Sequence, residues 1–162
     1  MTLKLILIRH AKSGWDNPML DDFDRTLTDR GLRDAARMGE WLRNNGHIPD
    51  VTLCSAAQRT RETAGTLELP GETDFVDALY LASPDVLLRH IRKQSAPCVA
   101  VIAHNPGIAD LAALLVSTPP DAPRFSDYPT SATTVLSFDI DDWSDMKTGD
   151  LVAFRTPHDS NA

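Results

Sequence analysis

The sequence predicts an α/β fold: a three-layer αβα sandwich with a mostly parallel sheet and an antiparallel edge strand. Apolar runs of strand length alternate along the chain with segments whose apolar residues recur every three or four positions. That alternation is typical of a parallel sheet covered by helices on both faces. Near the end of the chain, two apolar runs separated by turn-forming residues predict a hairpin, which supplies the antiparallel strand. A length of 162 residues suits one domain, and we expect residues 1–162 to form it.

The predicted strands are short apolar runs bounded by polar or turn-forming residues. Residues 3–8 are apolar except for Lys4, and a run of that length and β-branched content suits a buried strand better than a helix. Residues 118–129, in contrast, contain four prolines and are predicted to form an irregular loop. In chain order, the strands are predicted at residues 3–8, 51–54, 74–76, 98–103, 133–140 and 151–155.

The predicted helices start where the sequence offers a residue that commonly caps a helix. Thr28 precedes the first amphipathic segment, and Asn105 precedes Pro106, a residue type favoured in the first helical turn. Ser55 and Gln58 have the spacing of a capping box, so we expect the second helix to begin at Ser55. The predicted helices run from Thr28 to the Asn-Asn-Gly sequence at 44–46, from Ser55 to about Glu68, from Pro84 (capped by Ser83) to Ile91, and from Pro106 to about Val116.

The overall charge and hydropathy argue against several classes of protein. The net charge of −7 disfavours nucleic acid as a partner, because proteins that bind nucleic acid are usually basic. No apolar run approaches the ~20 residues of a membrane span, and the run at residues 3–8 is too short for a signal peptide. We therefore expect a cytoplasmic protein that binds neither nucleic acid nor membrane. Cys54 and Cys98 lie in apolar runs and are expected to be buried, reduced thiols.

Arginines and histidines follow three of the predicted strands. Arg9 and His10 come directly after the first apolar run. Ser55 follows the second run, Arg59 lies within the next helical turn, and His104 follows the fourth run. Because ligands of open α/β sheets bind outside the carboxyl ends of the strands, we expect these side chains to meet in one cleft. A positive charge in the first turn of a helix opposes the helix dipole, so Arg59 is expected to have a role that offsets this cost.

A phosphoryl group is the natural ligand for two arginines and two histidines. Guanidinium groups present planar forks of donors that match phosphate oxygens, and they balance the charge that spreads over those oxygens in the transition state. One histidine can add to this binding while the other attacks phosphorus through a neutral nitrogen. The sequence contains no P-loop, no dinucleotide fingerprint and no metal-ligand spacing. We therefore expect neither metal nor cofactor; a binding module that holds phosphate without turnover is the alternative.

Four blocks of the sequence resemble, in the same order, the signature blocks of the histidine phosphatase superfamily, which includes cofactor-dependent phosphoglycerate mutases. The resemblance implies that His10 is the nucleophile that becomes phosphorylated. It also implies that phosphate is bound by Arg9, Arg59 and His104. The blocks are residues 8–15, which resemble the RHG signature; 24–31, similar to a loop ending in L-T-x-x-G; 55–64, similar to S-x-x-x-R-x-x-x-T-A; and 104–107, which resemble the late histidine block.

Two positions depart from the family pattern. Ala11 stands where the signature has glycine, a change that short members of the superfamily share. Asp16 stands where mutases have an asparagine that contacts phosphate. Because a carboxylate repels phosphate, we expect Asp16 to lie outside the phosphate shell or to contact the leaving group.

The length of the chain bears on the reaction that the family resemblance implies. Mutases are longer because they carry an insertion at the place where this chain has only residues 72–84. In larger members of the family, a glutamate in that insertion protonates the leaving oxygen. The candidate acid here is Asp77, for which a solvated loop carboxylate is an equal alternative. Without an acid, a phosphohistidine substrate is favoured, because a protonated imidazole leaves more readily than an alkoxide.

These features, together with residues 79–84 and 104–107, resemble SixA-type phosphohistidine phosphatases. The resemblance implies a metal-independent phosphatase that acts on a phosphorylated protein carrying phosphohistidine or on a small phosphorylated metabolite. Transfer of phosphate of the phosphoglycerate mutase type is a further alternative.

Overall fold

Six strands form one mixed sheet in the computed structural model, which describes residues 1–159. Each predicted strand is present, and its bounds lie within about two residues of those expected. The strands are β1 (Leu3–Arg9), β2 (Val51–Ser55), β3 (Glu72–Val76), β4 (Cys98–Ala103), β5 (Thr133–Phe138) and β6 (Asp150–Arg155).

The sheet has the order β3-β2-β4-β1-β5-β6. The first four strands in that order are parallel, and β5 is antiparallel to both β1 and β6. The α/β fold class is therefore confirmed. The antiparallel strand lies one place in from the edge, because the closing hairpin places β6 outside β5. In the register of β1 and β4, Arg9 pairs with Ala103, so the residues that follow these two strands emerge side by side.

Helices cover both faces of the sheet. On one face, Ile6 and Ile8 of β1 pack in a cluster with Met38 and Leu67. The alternate residues of β1, including Leu5, belong to the cluster on the other face, as the period of two in a strand requires. The helices are α1 (Asp29–Asn44) and α2 (Gln58–Leu67) on the first face, α3 (Pro84–Ile91) and α4 (Gly107–Leu115) on the second, and the short α5 (Arg124–Asp127).

The cap predicted for α1 is confirmed. The hydroxyl of Thr28 accepts a hydrogen bond from the backbone N–H of Gly31 at 3.0 Å, and α1 ends at Asn44. Gly31 has a second role, because a Cβ at this position would overlap the carbonyl oxygen of Lys12. The loop after β1 therefore lies directly against the start of α1.

The capping box predicted at Ser55 is wrong. Ser55 is the last residue of β2, and α2 begins three residues later at Gln58, without a side-chain cap on Ala57. The hydroxyl of Ser55 lies instead 2.7 Å from Nε2 of His104. The sequence spacing matched a capping box, but β2 continues through Ser55, so this side chain is turned towards the neighbouring strand end.

The cap predicted at Asn105 is also wrong. α4 begins at Gly107, and the side-chain amide of Asn105 donates hydrogen bonds to the backbone carbonyls of Asp127 and Tyr128. These two hydrogen bonds connect the loop at residues 118–129 to the end of β4. That loop is not wholly irregular, because it contains α5.

The two cysteines are free and buried, as predicted. Burial raises the pKa of the Cys54 thiol to about 12, so this thiol is protonated at neutral pH. Within residues 1–159, no helix is both long enough and apolar enough to cross a membrane.

Candidate active site

A pocket of about 280 Å³ opens where β1, β2 and β4 end. The four residues that the sequence singled out for phosphate chemistry all line it, and the structure therefore brings them together as expected. Its lining consists of Arg9, His10, Lys12, Ser13, Trp15, Arg25, Arg59, Leu81, His104, Asn105 and Thr130.

The ring of His10 is held in one tautomer. Its Nδ1 lies 2.7 Å from the carbonyl oxygen of Ala11, and a carbonyl only accepts, so Nδ1 carries the hydrogen. Nε2 is then the nitrogen with the free electron pair. Burial, with smaller contributions from His104, Arg9 and Arg59, lowers the pKa of His10 to about 3. The imidazole is consequently neutral at physiological pH, as a nitrogen nucleophile must be.

The ring of His104 lies beside that of His10, with 5.3 Å between the ring centroids. Its Nε2 is 2.7 Å from the hydroxyl of Ser55, which also accepts a hydrogen bond from the backbone N–H of Ala57 at 3.4 Å. When Ser55 donates to Nε2, the ring hydrogen of His104 resides on Nδ1. Within the described residues, this buried Nδ1 has no hydrogen-bond partner. Burial and the charge of Arg59 lower the pKa of His104 to about 3.

Two guanidinium groups add further donors. Nη1 of Arg9 donates to the carbonyl of Tyr128 at 3.1 Å, while Arg59 is 2% exposed and donates to Asp22. The Nε atoms of both arginines are buried, and neither has a hydrogen-bond partner within residues 1–159. Burial and the neighbouring Arg59 lower the pKa of Arg9, but a guanidinium remains charged in proteins. An anion is the ligand class that accepts from such donors.

The carboxylate of Asp22 joins several side chains beside the pocket. It accepts hydrogen bonds from Arg59 at 3.0 Å, from Arg25 at 3.1 Å and from the hydroxyl of Tyr80. Although burial opposes the effect, the hydrogen bonds from Tyr80 and Arg59 keep the pKa of Asp22 below its ordinary value. Asp22 is therefore the group that offsets the positive charge in the first turn of α2.

Sequence reasoning missed Asp22, Arg25 and Lys12. Arg25 lies in the block at residues 24–31, whose resemblance to the family signature was a usable signal. No local pattern marks Asp22, because its partners are far away along the chain.

The pocket is positively charged. The guanidinium of Arg25 stacks over the ring of Trp15, 3.6 Å from its centroid. Among the described residues, four cationic side chains and no carboxylate line the pocket. The local charge of the pocket is therefore positive, although the net charge of the protein is −7.

The two other carboxylates considered from the sequence lie elsewhere. Asp77 is exposed in the 3₁₀ turn Asp77–Leu79 and is not part of the pocket lining. Asp16 is exposed and lines a separate depression with Gly14 and Thr28. Neither carboxylate therefore lies in the pocket with Arg9, His10, Arg59 and His104.

Comparisons with known proteins identify the family. A family model described as the histidine phosphatase superfamily (branch 1) matches residues 5–77. An uncharacterised protein of Mycobacterium leprae is 33% identical over 161 residues, which covers 93% of this chain and 99% of the relative. The chain belongs to the histidine phosphatase superfamily. Members of this superfamily are phosphatases and mutases.

Solved structures extend the superfamily match beyond residue 77. A protein of Nakamurella multipartitia assigned as the phosphohistidine phosphatase SixA has a TM-score of 0.82 and 29% identity, covering 98% of both chains. A protein of Agrobacterium tumefaciens with the same assignment has a TM-score of 0.79 and 25% identity, covering 96% of this chain and 99% of that chain. The chain is thus similar to SixA proteins over nearly its whole length, including the strand that precedes His104.

Proposed function

We propose that this protein is a metal-independent phosphatase that hydrolyses phosphohistidine or a phosphomonoester through a covalent phosphohistidine intermediate on His10. The observation that carries the proposal is the hydrogen bond from Nδ1 of His10 to the carbonyl of Ala11 at 2.7 Å. It leaves Nε2 unprotonated in a pocket lined by four cationic side chains. A neutral nucleophile in a cationic pocket suits attack on a phosphoryl group.

In the first step, the electron pair on Nε2 of His10 attacks phosphorus and forms a P–N bond. The bond between phosphorus and the leaving group breaks, and the leaving group departs with that electron pair. Arg9 and Arg59 balance the charge on the three equatorial oxygens, and Nδ1 of His104 adds a neutral donor. Donors that are already in place do not reorganise as that charge develops.

In the second step, a water molecule attacks the phosphorus of phosphorylated His10. The P–Nε2 bond breaks, and its electron pair returns to Nε2. The water contributes its oxygen and both hydrogens to inorganic phosphate, formed as H2PO4⁻, which then loses a proton to the solvent. The hydrogen bond to Ala11 keeps Nδ1 protonated throughout, so the ring returns to the tautomer needed for the next attack.

The proton requirement of the leaving group favours phosphohistidine over an alkyl phosphate as the substrate. Asp77, the candidate acid in the sequence, is exposed and outside the pocket lining, so we propose a reaction that does not depend on it. An alkoxide needs a proton from an acid as it leaves, whereas the imidazole of phosphohistidine already carries one when its second nitrogen is protonated. The similarity to the two SixA proteins supports the same substrate class.

Trapping of the intermediate tests this proposal. The protein is mixed with substrate labelled in its phosphoryl group, denatured during turnover in alkali, where phosphohistidine survives, and digested. We expect label on His10 in the wild type and in the control His90→Ala, and neither label nor turnover in His10→Ala. Turnover without label on His10 would contradict the covalent mechanism.

A substrate panel tests the leaving-group argument. We expect catalytic efficiency to be highest for a phosphohistidine protein, lower for an aryl phosphate and lowest for sugar phosphates. Tight binding of a phosphohistidine peptide without release of phosphate would indicate a binding module instead. Transfer of label between phosphoglycerates would indicate a mutase.

A further inference from the structure

A second cleft, which we call the flanking cleft, adjoins the catalytic pocket. Its volume is also about 280 Å³, and it shares Arg9, Lys12 and Thr130 with the lining of the pocket that holds His10. Its other lining residues include Arg30 at the start of α1 and Arg124 and Asp127 in α5. The shared residues make the two clefts continuous, so one molecule can occupy both.

The flanking cleft is strongly cationic. It contains four guanidinium or ammonium groups, and Asp127 is the one carboxylate among its lining residues in the described part of the chain. Asp127 pairs with Arg124 at 3.0 Å, and Arg30 lies 3.6 Å from the buried Asp34. Within residues 1–159, neither Lys12 nor Arg9 has an ion-pair partner.

His158 also lines this cleft, beside Arg30. Its Nε2 lies 2.7 Å from Nη2 of Arg30. The cationic character of the cleft comes from its three arginines and Lys12. Arg30 and Arg124 are 54% and 56% exposed, so their guanidinium groups are accessible to a ligand.

We propose that the flanking cleft is an accessory subsite for a second anionic group, carried by the same substrate molecule whose phosphoryl group reacts with His10. The inference rests on the proposed phosphatase function and specifies its substrate. Guanidinium groups bind carboxylates and phosphates through the same planar fork. The substrate class is therefore a phosphorylated molecule with a further carboxylate or phosphate next to the reacting group.

The shape of the site favours an acidic side chain of a phosphohistidine protein as the source of that anion. Small ligands are usually bound in pockets that bury most of their surface, whereas Arg30 and Arg124 are more than half exposed. At the pocket that holds His10, Trp15 is 73% and Leu81 is 55% exposed. An open surface with exposed apolar and cationic side chains suits a protein surface better than an enclosed metabolite.

The test compares phosphohistidine peptides that differ only by aspartate or asparagine beside the phosphorylated residue. In the wild type, we expect kcat/KM to be about tenfold higher for the acidic peptide, because its KM is lower. One charge-assisted hydrogen bond at a half-exposed site contributes about this much. Arg30→Gln and Arg124→Gln should lower this ratio to about twofold or less. Asp127→Asn should raise it, because the substitution removes the negative charge from the cleft.

Matched controls separate a subsite from a general effect of charge. Arg33→Gln removes the same charge from an exposed position of α1 outside the cleft and should keep the wild-type ratio. An aryl phosphate, which has no second anion, should be hydrolysed alike by the wild type and by the Arg30→Gln, Arg124→Gln and Arg33→Gln variants. Equilibrium affinities of the two peptides for His10→Ala give the same comparison without turnover.

Each outcome has a distinct meaning. Equal kcat/KM for both peptides in a wild type that is labelled on His10 would overturn the accessory subsite and leave the phosphatase function standing. Failure to hydrolyse any phosphate ester or phosphohistidine would overturn the proposed function, and the affinities for His10→Ala would then decide the subsite. An arginine-dependent preference for small bisphosphates over both peptides would overturn the assignment to a protein substrate.

Discussion

Nη2 of Arg59 donates a hydrogen bond to Oδ2 of Asp22 at 3.0 Å, and Nη1 of the same guanidinium donates to the backbone carbonyl of Asp22 at 2.6 Å. This double contact fixes the plane of a guanidinium that is 2% exposed. It also places a negative charge next to an arginine in the first turn of α2, where the helix dipole disfavours a cation. Asp22 is therefore a positioning residue: it acts on the reaction through the orientation of Arg59.

Removal of the charge on Asp22 should impair catalysis more than folding. In Asp22→Asn, the backbone carbonyl still accepts from Arg59, but the charged contacts to Arg59 and Arg25 are lost. We expect kcat on an aryl phosphate to fall by about ten- to a hundredfold, because small misplacements of a group that binds the transition state cost that much. The measurement is steady-state kinetics alongside the midpoint of urea unfolding.

The control for Asp22→Asn is Asp24→Asn, which changes an exposed carboxylate in the same 3₁₀ segment. It should leave kcat within about twofold of the wild type. A purely structural role of Asp22 would lower the unfolding midpoint and leave the kcat of the folded protein unchanged, contrary to our expectation.

Substitution of Ser55 should affect the tautomer of His104. In Ser55→Ala, Nε2 of His104 loses its partner at 2.7 Å, and the hydrogen is no longer held on Nδ1. We expect kcat/KM to fall by about tenfold or more, since one donor to the phosphoryl oxygens is no longer oriented. Stability should also decrease, by about 1–3 kcal/mol, because a buried polar atom is left without a partner. Kinetics and urea unfolding measure the two effects.

Ser83→Ala is the matched control for Ser55→Ala. The hydroxyl of Ser83 caps α3 by accepting from the N–H of Val86, away from the pocket. This substitution should cost about 1 kcal/mol of stability while kcat/KM stays unchanged. Equal losses of kcat/KM in the two variants would show that activity follows stability alone.

Stability should decrease as the pH falls below the ordinary histidine pKa. Burial lowers the pKa values of His10 and His104 from 6.5 to about 3, so the unfolded chain binds more protons than the folded chain between these values. The free energy of unfolding is therefore greatest above pH 6.5 and falls as the pH approaches 3, by at most about 1.4 kcal/mol per pH unit for each histidine. Urea unfolding at about pH 7, 6 and 5 measures the slope.

Variants and an anion check the origin of that slope. The double variant His10→Gln and His104→Gln should flatten it, whereas His90→Gln should not. Sulfate, which stays a dianion over this range, should also flatten it, because a bound anion favours the protonated rings. An unchanged slope in the double variant would assign the pH dependence to other groups.

Much of this protein can be predicted from short stretches of its sequence. Apolar runs located all six strands, and the parallel arrangement placed Arg9, His10, Arg59 and His104 at one edge of the sheet. That prediction succeeded because strand periodicity is local, and because parallel strands bring their carboxyl ends together. The ordered motif blocks likewise identified the superfamily before any contact was known.

Other features depend on contacts between residues far apart in the chain. Asp22 meets Arg59 across 37 residues and Tyr80 across 58, and no local pattern encodes such pairs. Ser55 and Asn105 had the local signature of helix caps, but their side chains bind His104 and the loop at 118–129 instead. The flanking cleft is likewise assembled from four separate segments. Short-range patterns specify elements and the strand ends that bear the reactive groups, whereas long-range packing decides each group's partner, tautomer and charge.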